Sequence, residues 1–315
     1  MKNFAAGIIA MLICSSAAAQ YPNKPIRLIV PFPPGGAADL TARIISQPLS
    51  QALGQSVVLE HRPGADGAIA GEAVMKATPD GYTLLFGTAT GMSAMPNQRK
   101  VRPYDPVNDF TPVSLVGTFG FFFFAHPCIP VHTMQDLIGY ARANPGKITY
   151  GSGNFTSVVA TGLFAATQGL DMLHVPYKGD APATIDLVAG RVHVMLAAGS
   201  VLPQAGDGKL RILATMLEQR SPMAPMSPTF AEAGIARSPI APWGAVFGPA
   251  KMPADITDRL ARELALLLAR KDVKEQLDRI AFEPRSSSPE ALRAFVRTQL
   301  DVWGRSIKEL GLQQQ

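Results

Sequence analysis

Two cysteines, Cys14 and Cys128, stand in 315 residues. Once a leader containing Cys14 is removed, no internal disulfide can form. Zinc-site spacing is missing too. The chain has no Cys-x-x-Cys and no His-Glu-x-x-His, and His61, His126, His132, His174 and His193 are scattered singly. A metal is therefore not expected. The Gly-x-Ser-x-Gly nucleophile elbow is absent, which removes the commonest serine-hydrolase signature. Charge is sparse, at 17% of residues, and no dense Lys/Arg run occurs. Nucleic acid is thus not an expected partner. No apolar run reaches the length of a membrane-spanning helix.

The chain does carry a leader pattern. Lys2 precedes an apolar run from Phe4 to Ile13, and Ala17-Ala18-Ala19 offers small residues for cleavage. Residues 1–19 read as a secretory signal peptide. Cys14 follows Ile13, a poor context for lipid attachment. Removing the leader deletes Lys2 and no acid, so the formal charge falls from +5 to +4. The mature chain is expected to be exported, soluble and monomeric, and it is long enough for about two domains.

Short apolar runs alternate with helical patterns. Ile26–Val30, 56–60, 83–87, 111–116, 148–151, 172–175, 192–197, 210–215 and 245–248 read as strands. Leu40, Ile44, Ile45, Leu49 and Leu53 share one helical face, and Thr133 opens a helix that stops at Asn144-Pro145-Gly146. The fold class is α/β, with two mainly parallel sheets covered by helices on both faces. Two apolar passages, 119–125 and 239–247, read either as buried strands or as crossings between two lobes that hinge on each other.

Four strand-to-helix turns carry the candidate chemistry. The first is Phe32-Pro33-Pro34-Gly35-Gly36-Ala37, closed by Asp39. Paired glycines let backbone approach a ligand, and the following helix presents unpaired N–H groups and a positive dipole end. Without a ligand the same residues make a tight connection, and Asp39 is first a helix cap. The second turn holds Thr88 and Ala89, the third Ser152, Gly153 and Asn154, and the fourth Tyr177, Lys178 and Gly179. In open α/β sheets ligands bind at this edge. Neutral donors of this kind suit a carboxylate. Residues 151–156 also half-match a dinucleotide fingerprint, but Thr156 replaces the third glycine. No cofactor is expected.

The landmarks Tyr21-Pro22-Asn23-Lys24-Pro25-Ile26, Val30 to Gly36, Glu60-His61-Arg62-Pro63-Gly64-Ala65, Pro79-Asp80-Gly81-Tyr82-Thr83-Leu84 and His174-Val175-Pro176-Tyr177-Lys178-Gly179 add a resemblance. So do Ala231-Glu232-Ala233-Gly234 and the passage from Trp243 to Pro253. In this order the chain resembles solute receptors of the tripartite tricarboxylate transporter system, the Bug family. The resemblance implies a type II-like periplasmic-binding-protein fold with an interdomain cleft. It divides the chain into 20–122 plus 241–315 and 123–240. It implies a small organic acid as ligand, permease subunits as partners and no catalysis. It maps the ligand loops onto Pro33–Asp39, Ser152–Gly153 and Tyr177–Gly179. Departures from the family pattern are Val158 in place of a His, Gly162 in place of an acid, His193 after Val192, and Ala197-Ala198 in place of an acid. With Phe155 added, they point to a less polar cleft and an aromatic or partly apolar acid. The alternatives are an exported hydrolase using Ser152 and a sensory module for a signalling receptor.

Overall fold

The computed structural model describes residues 21–312; the leader lies outside them. Six strands form the first sheet: β1 (Ile26–Val30), β2 (Val57–His61), β3 (Thr83–Thr88), β4 (Phe110–Phe119), β10 (Trp243–Pro249) and β11 (Phe282–Pro284). Their order is β11-β4-β10-β3-β1-β2. Five form the second: β5 (Phe121–Ala125), β6 (Ile148–Ser152), β7 (Met172–Pro176), β8 (Val194–Ala198) and β9 (Arg211–Thr215), in the order β7-β6-β8-β5-β9. The helices are α1 (Ala37–Leu53), α2 (Ala68–Met75), α3 (Met95–Gln98), α4 (Met134–Ala143), α5 (Phe155–Gln168), α6 (Asp180–Val188), α7 (Leu202–Gly206), α8 (Ala254–Ala269), α9 (Lys271–Asp278) and α10 (Pro289–Glu309).

One topology is used twice. In each sheet the first three strands lie in the order second, first, third; then comes a strand that has crossed from the other sheet, then a fourth. The strand–helix units pair in parallel, β1 with β2 and β3, and β6 with β7 and β8. The crossing strands β10 and β5 run antiparallel to both neighbours. Both sheets are therefore mixed. The parallel pairs expected from strand–helix alternation are present, and the antiparallel ones are made by the crossing strands and by β11 with β4.

The four phenylalanines of β5 serve both readings given to them. Strand alternation turns Phe122 and Phe124 into a cluster with Leu187, Met195 and Val201, while Phe121 and Phe123 join the larger core. Between β4 and β5 stands Gly120. Its N–H donates to the Ala281 carbonyl at 2.6 Å, and its carbonyl accepts from Gly199 N–H at 3.0 Å. Ala281 itself packs in the second sheet's cluster, so a segment next to β11 grips the other lobe at the crossing.

Local signals set the helix ends, at Thr133 as expected. Thr133 and Asp136 form a reciprocal capping box at the start of α4. Ser288 accepts from Ala291 N–H ahead of Pro289 at the start of α10. That helix buries Leu292, Val296, Trp303 and Ile307 against the first lobe.

Candidate functional site

The turn after β1 is built around Asp39. Gly35 takes φ +88°, a left-handed conformation natural to glycine. Its N–H then donates to Asp39 Oδ2 at 2.9 Å. Arg43 Nε also donates to this carboxylate, and His61 Nε2 from the end of β2 lies 2.7 Å from Oδ1. Burial pushes the Asp39 carboxyl up, but the Gly35 N–H, Arg43 and His61 bring it net below the ordinary range. Asp39 does not face the cavity described below; it fixes the loop from behind. Pro34 and Gly35 are exposed and are not among the residues lining that cavity.

The front of the loop opens on a cavity between the two sheets. Three helices begin there. Gly36, Ala37 and Ala38 bring the start of α1; Asn154 and Thr156 bring α5; Gly179, Asp180 and Ala181 bring α6. No side chain caps α1 or α6, whose N-cap residues are glycines. Their first-turn N–H groups have no carbonyl one turn back to accept them. Thr88, Ala89 and Thr90 add the end of β3. Two buried donors at the wall have no partner: Thr88 Oγ1 and Trp243 Nε1. The rest of the lining is apolar, including Phe32, Pro33, Phe119, Phe121, Ala198 and Pro242. Among the described lining residues there is no cationic side chain. Thr90 and Thr156, both in the lining, meet between the two lobes, Oγ1 to Oγ1 at 3.4 Å.

Eight of the residues singled out in the sequence therefore line one cavity: Phe32, Pro33, Gly36, Ala37, Thr88, Ala89, Asn154 and Gly179. Seven others lie off it. Besides Pro34, Gly35 and Asp39, these are Ser152, Gly153, Tyr177 and Lys178. Tyr177 turns away and donates its hydroxyl to Asp186 at 2.7 Å, and Lys178 is exposed. Gly153 is packed so tightly under α6 that an added Cβ would lie 2.3 Å from Asp180 N. Phe155 is buried in the core and does not make the cavity less polar; Val158 and Gly162 also lie off it. Ala198 does line it, where the resemblance led one to expect an acid.

Ser152 has a spatial partner that sequence spacing could not reveal. His174 Nε2 lies 2.6 Å from its Oγ, and the ring stacks on Tyr150 at 4.9 Å. Burial holds His174 below its ordinary pKa. Yet Ser152 is only 3% exposed and lies off the cavity. No described carboxylate holds the other ring nitrogen. The pair knits β6 to β7 at the edge of the sheet.

Sequence reasoning also missed Asp180. It is the one charged residue among those lining the cavity. Oδ1 accepts from Asn154 Nδ2 at 2.8 Å. Burial without a cation pushes its carboxyl up to about 6, and the Asn154 amide only partly offsets this. The available signal was an acid placed immediately after the glycine that opens a helix.

With this geometry in view, the comparisons are concordant. Residues 41–312 match the model of the tripartite tricarboxylate transporter family receptor. BugT of Bordetella pertussis is 34% identical over 94% of this chain and 92% of its own length. A solved structure described as R. palustris Rpa4515 with adipate is 34% identical, with a TM-score of 0.89 over 92% of this chain and 98% of that one. The periplasmic binding protein BugD is 30% identical, with a TM-score of 0.88 over 94% of this chain and 100% of that one. A fold used twice around a cleft of helix ends, and a family model spanning nearly all of the described residues, lead to one conclusion: the chain belongs to the tripartite tricarboxylate transporter receptor family.

Proposed function

We propose that this protein is an exported periplasmic receptor that holds a small organic carboxylate between its two lobes and delivers it to membrane permease subunits without altering it. The observation that carries this reading is the convergence of three helix N-termini on a cavity lined by no cationic side chain. An anion there is held by fixed N–H dipoles, each end contributing about 0.3–1 kcal/mol in exposed settings and more when sheltered. Thr88 and Trp243 supply further donors whose burial without a partner carries a desolvation cost that a ligand oxygen removes. The R. palustris relative is described with adipate, which is likewise an organic carboxylate.

The site residues of this reading are the eight that line the cavity, together with Thr90, Thr156 and Trp243. Its units are 20–120 plus 241–315 and 121–240. The first boundary moves from residue 122, as read from the sequence, to Gly120, because β5 belongs to the second sheet from Phe121 onward.

The hydrolase alternative has the Ser152–His174 pair in its favour, but a reacting carbonyl cannot reach a buried Oγ that lies off the cavity. Calorimetry with organic acids, followed by mass spectrometry of the recovered ligand, tests the proposal. Stoichiometric binding and an unchanged acid are expected. Product in molar excess over protein, or binding of no acid, would sink it.

A further inference from the structure

The cavity contains an anion of its own. Asp180 is the first residue of α6 and its carboxylate sits at the start of α5, where Asn154 Nδ2 holds Oδ1 at 2.8 Å. The close packing under Gly153 fixes it there: an added Cβ on that glycine would lie 2.4 Å from Asp180 Oδ1. The Asn154 amide, a side-chain donor on the second lobe's side of the cavity, is therefore already engaged by a carboxylate. No described lysine, arginine or histidine lines the cavity to balance a further negative charge. On the first lobe the situation is reversed. The start of α1 is uncapped there, and Thr88 Oγ1 and Trp243 Nε1 have no partner. One end of the cavity is ready for a carboxylate; the other presents one.

We propose that Asp180 is a specificity-determining residue that occupies the second lobe's anion seat with the protein's own carboxylate, so that the cavity selects an acid with a single carboxylate and an N–H or O–H donor at its far end. This deepens the receptor reading and rests on it. The ligand carboxylate lies against α1, Thr88 and Trp243. Its body lies along the Phe32 and Phe119 rings. Its far donor reaches the Asp180 oxygen that Asn154 leaves free. A chain-matched dicarboxylate brings a second negative charge against Asp180 with no cation between them, which is discrimination by repulsion.

The test uses the chain purified after expression of the full sequence, at pH 7.5. Calorimetry compares adipate with its half-amide and with 6-hydroxyhexanoate. It also compares terephthalate with 4-carbamoylbenzoate and 4-hydroxybenzoate, so that neither an aliphatic nor an aromatic body prejudges the result. In at least one series the donor-bearing acid is expected to bind roughly 10-fold or more tightly than the dicarboxylate, since like charges in a sheltered site repel strongly. Asp180→Asn keeps the shape and removes the charge, and it should narrow or invert that ratio by raising dicarboxylate affinity. Asp180→Ser serves the same purpose if the asparagine variant does not fold. A wild-type protein that binds the dicarboxylate as well as the donor-bearing acid, or a ratio unchanged in the folded variant, overturns the assignment of Asp180 and leaves the receptor reading standing. Binding of none of the six acids by wild type or variant overturns both.

Discussion

Gly36→Val separates a turn that binds from a turn that merely connects. Gly36 has φ −85° and ψ 171°, extended backbone that valine adopts readily. An added Cβ would find its nearest atom, the Pro33 carbonyl oxygen, at 4.0 Å. The fold therefore has room for the side chain. As an N-cap, valine is poorer than glycine by about 1 kcal/mol. Removing a glycine restricts the unfolded chain and returns about 0.4–1 kcal/mol. These two effects nearly cancel, so the melting temperature should move little. Binding should not survive as well, because Gly36 lines the cavity and a branched side chain there holds an anion away from the first N–H groups of α1. Loss of a hydrogen bond to a charged group costs about 1.5–3 kcal/mol, or roughly 10- to 150-fold in Kd. Calorimetry with the tightest acid of the six, on a variant whose circular dichroism matches wild type, measures this directly. An unchanged Kd would refute the reasoning and return the turn to a connection. Gly36→Ala should fall between the two proteins.

Gly153→Ala should behave in the opposite way. Its Cβ would lie 2.3 Å from the backbone of Gly179 and Asp180, so the urea midpoint should fall by the equivalent of about 1–3 kcal/mol; an unchanged midpoint would mean the contact is not close. Asp39→Asn tests the anchor behind the first loop. Because the Asp39 carboxyl is held below its ordinary range, the stability it confers is present at neutral pH and lost as pH falls past that range. The difference in stability between wild type and variant should therefore shrink on acidification, and a constant difference would count against the anchor. The two lobes should also open and close around the ligand, since the chain passes between the sheets only at Gly120 and at residues 240–242 among the described residues, and such strand crossings can act as hinges. Small-angle scattering should show a smaller radius of gyration with saturating acid, and identical curves would argue for a permanently closed cleft.

What was legible in the sequence was whatever the local chain decides. Strand β1, the Pro-Gly turn and α1 agree at every level: an apolar run, residues that bend, then a helical stripe with Leu49 and Leu53 buried. The caps at Thr133 and Ser288 are local in the same sense, being side chains that reach a backbone three residues away. A site made mainly of backbone N–H groups inherits this legibility, because naming the turn names the donors. Gly36, Ala37 and Gly179, which line the cavity, were named in this way. Contacts between distant segments leave no such trace. Nothing near Ala281 announces that its carbonyl holds the crossing at Gly120, and nothing near Ser152 announces His174.

The fourth turn shows where local reading stops. In the sequence Tyr177 is a candidate ligand contact, with a ring to stack and a hydroxyl to donate, and Asp180 is not among the candidate site residues. Which of the two faces the cavity is decided by the path of the backbone between them. Gly179 takes φ +124°, a value glycine reaches without strain, and the chain swings there so that Tyr177 is left behind with Asp186 and Asp180 is carried forward beside Asn154. Pro33 from the other lobe stands against the same glycine, where a side chain would meet it at 3.1 Å. The glycine thus does two things at once. It lets the lobes approach, and it chooses which side chain the cavity sees. A substitution at Gly179 should disturb both, whereas one at Lys178, exposed and off the cavity, should leave affinity for a carboxylate near wild type. Lys178→Met is the sharper of these measurements, because a large loss of affinity would mean that a point charge, and not the helix ends, carries the attraction.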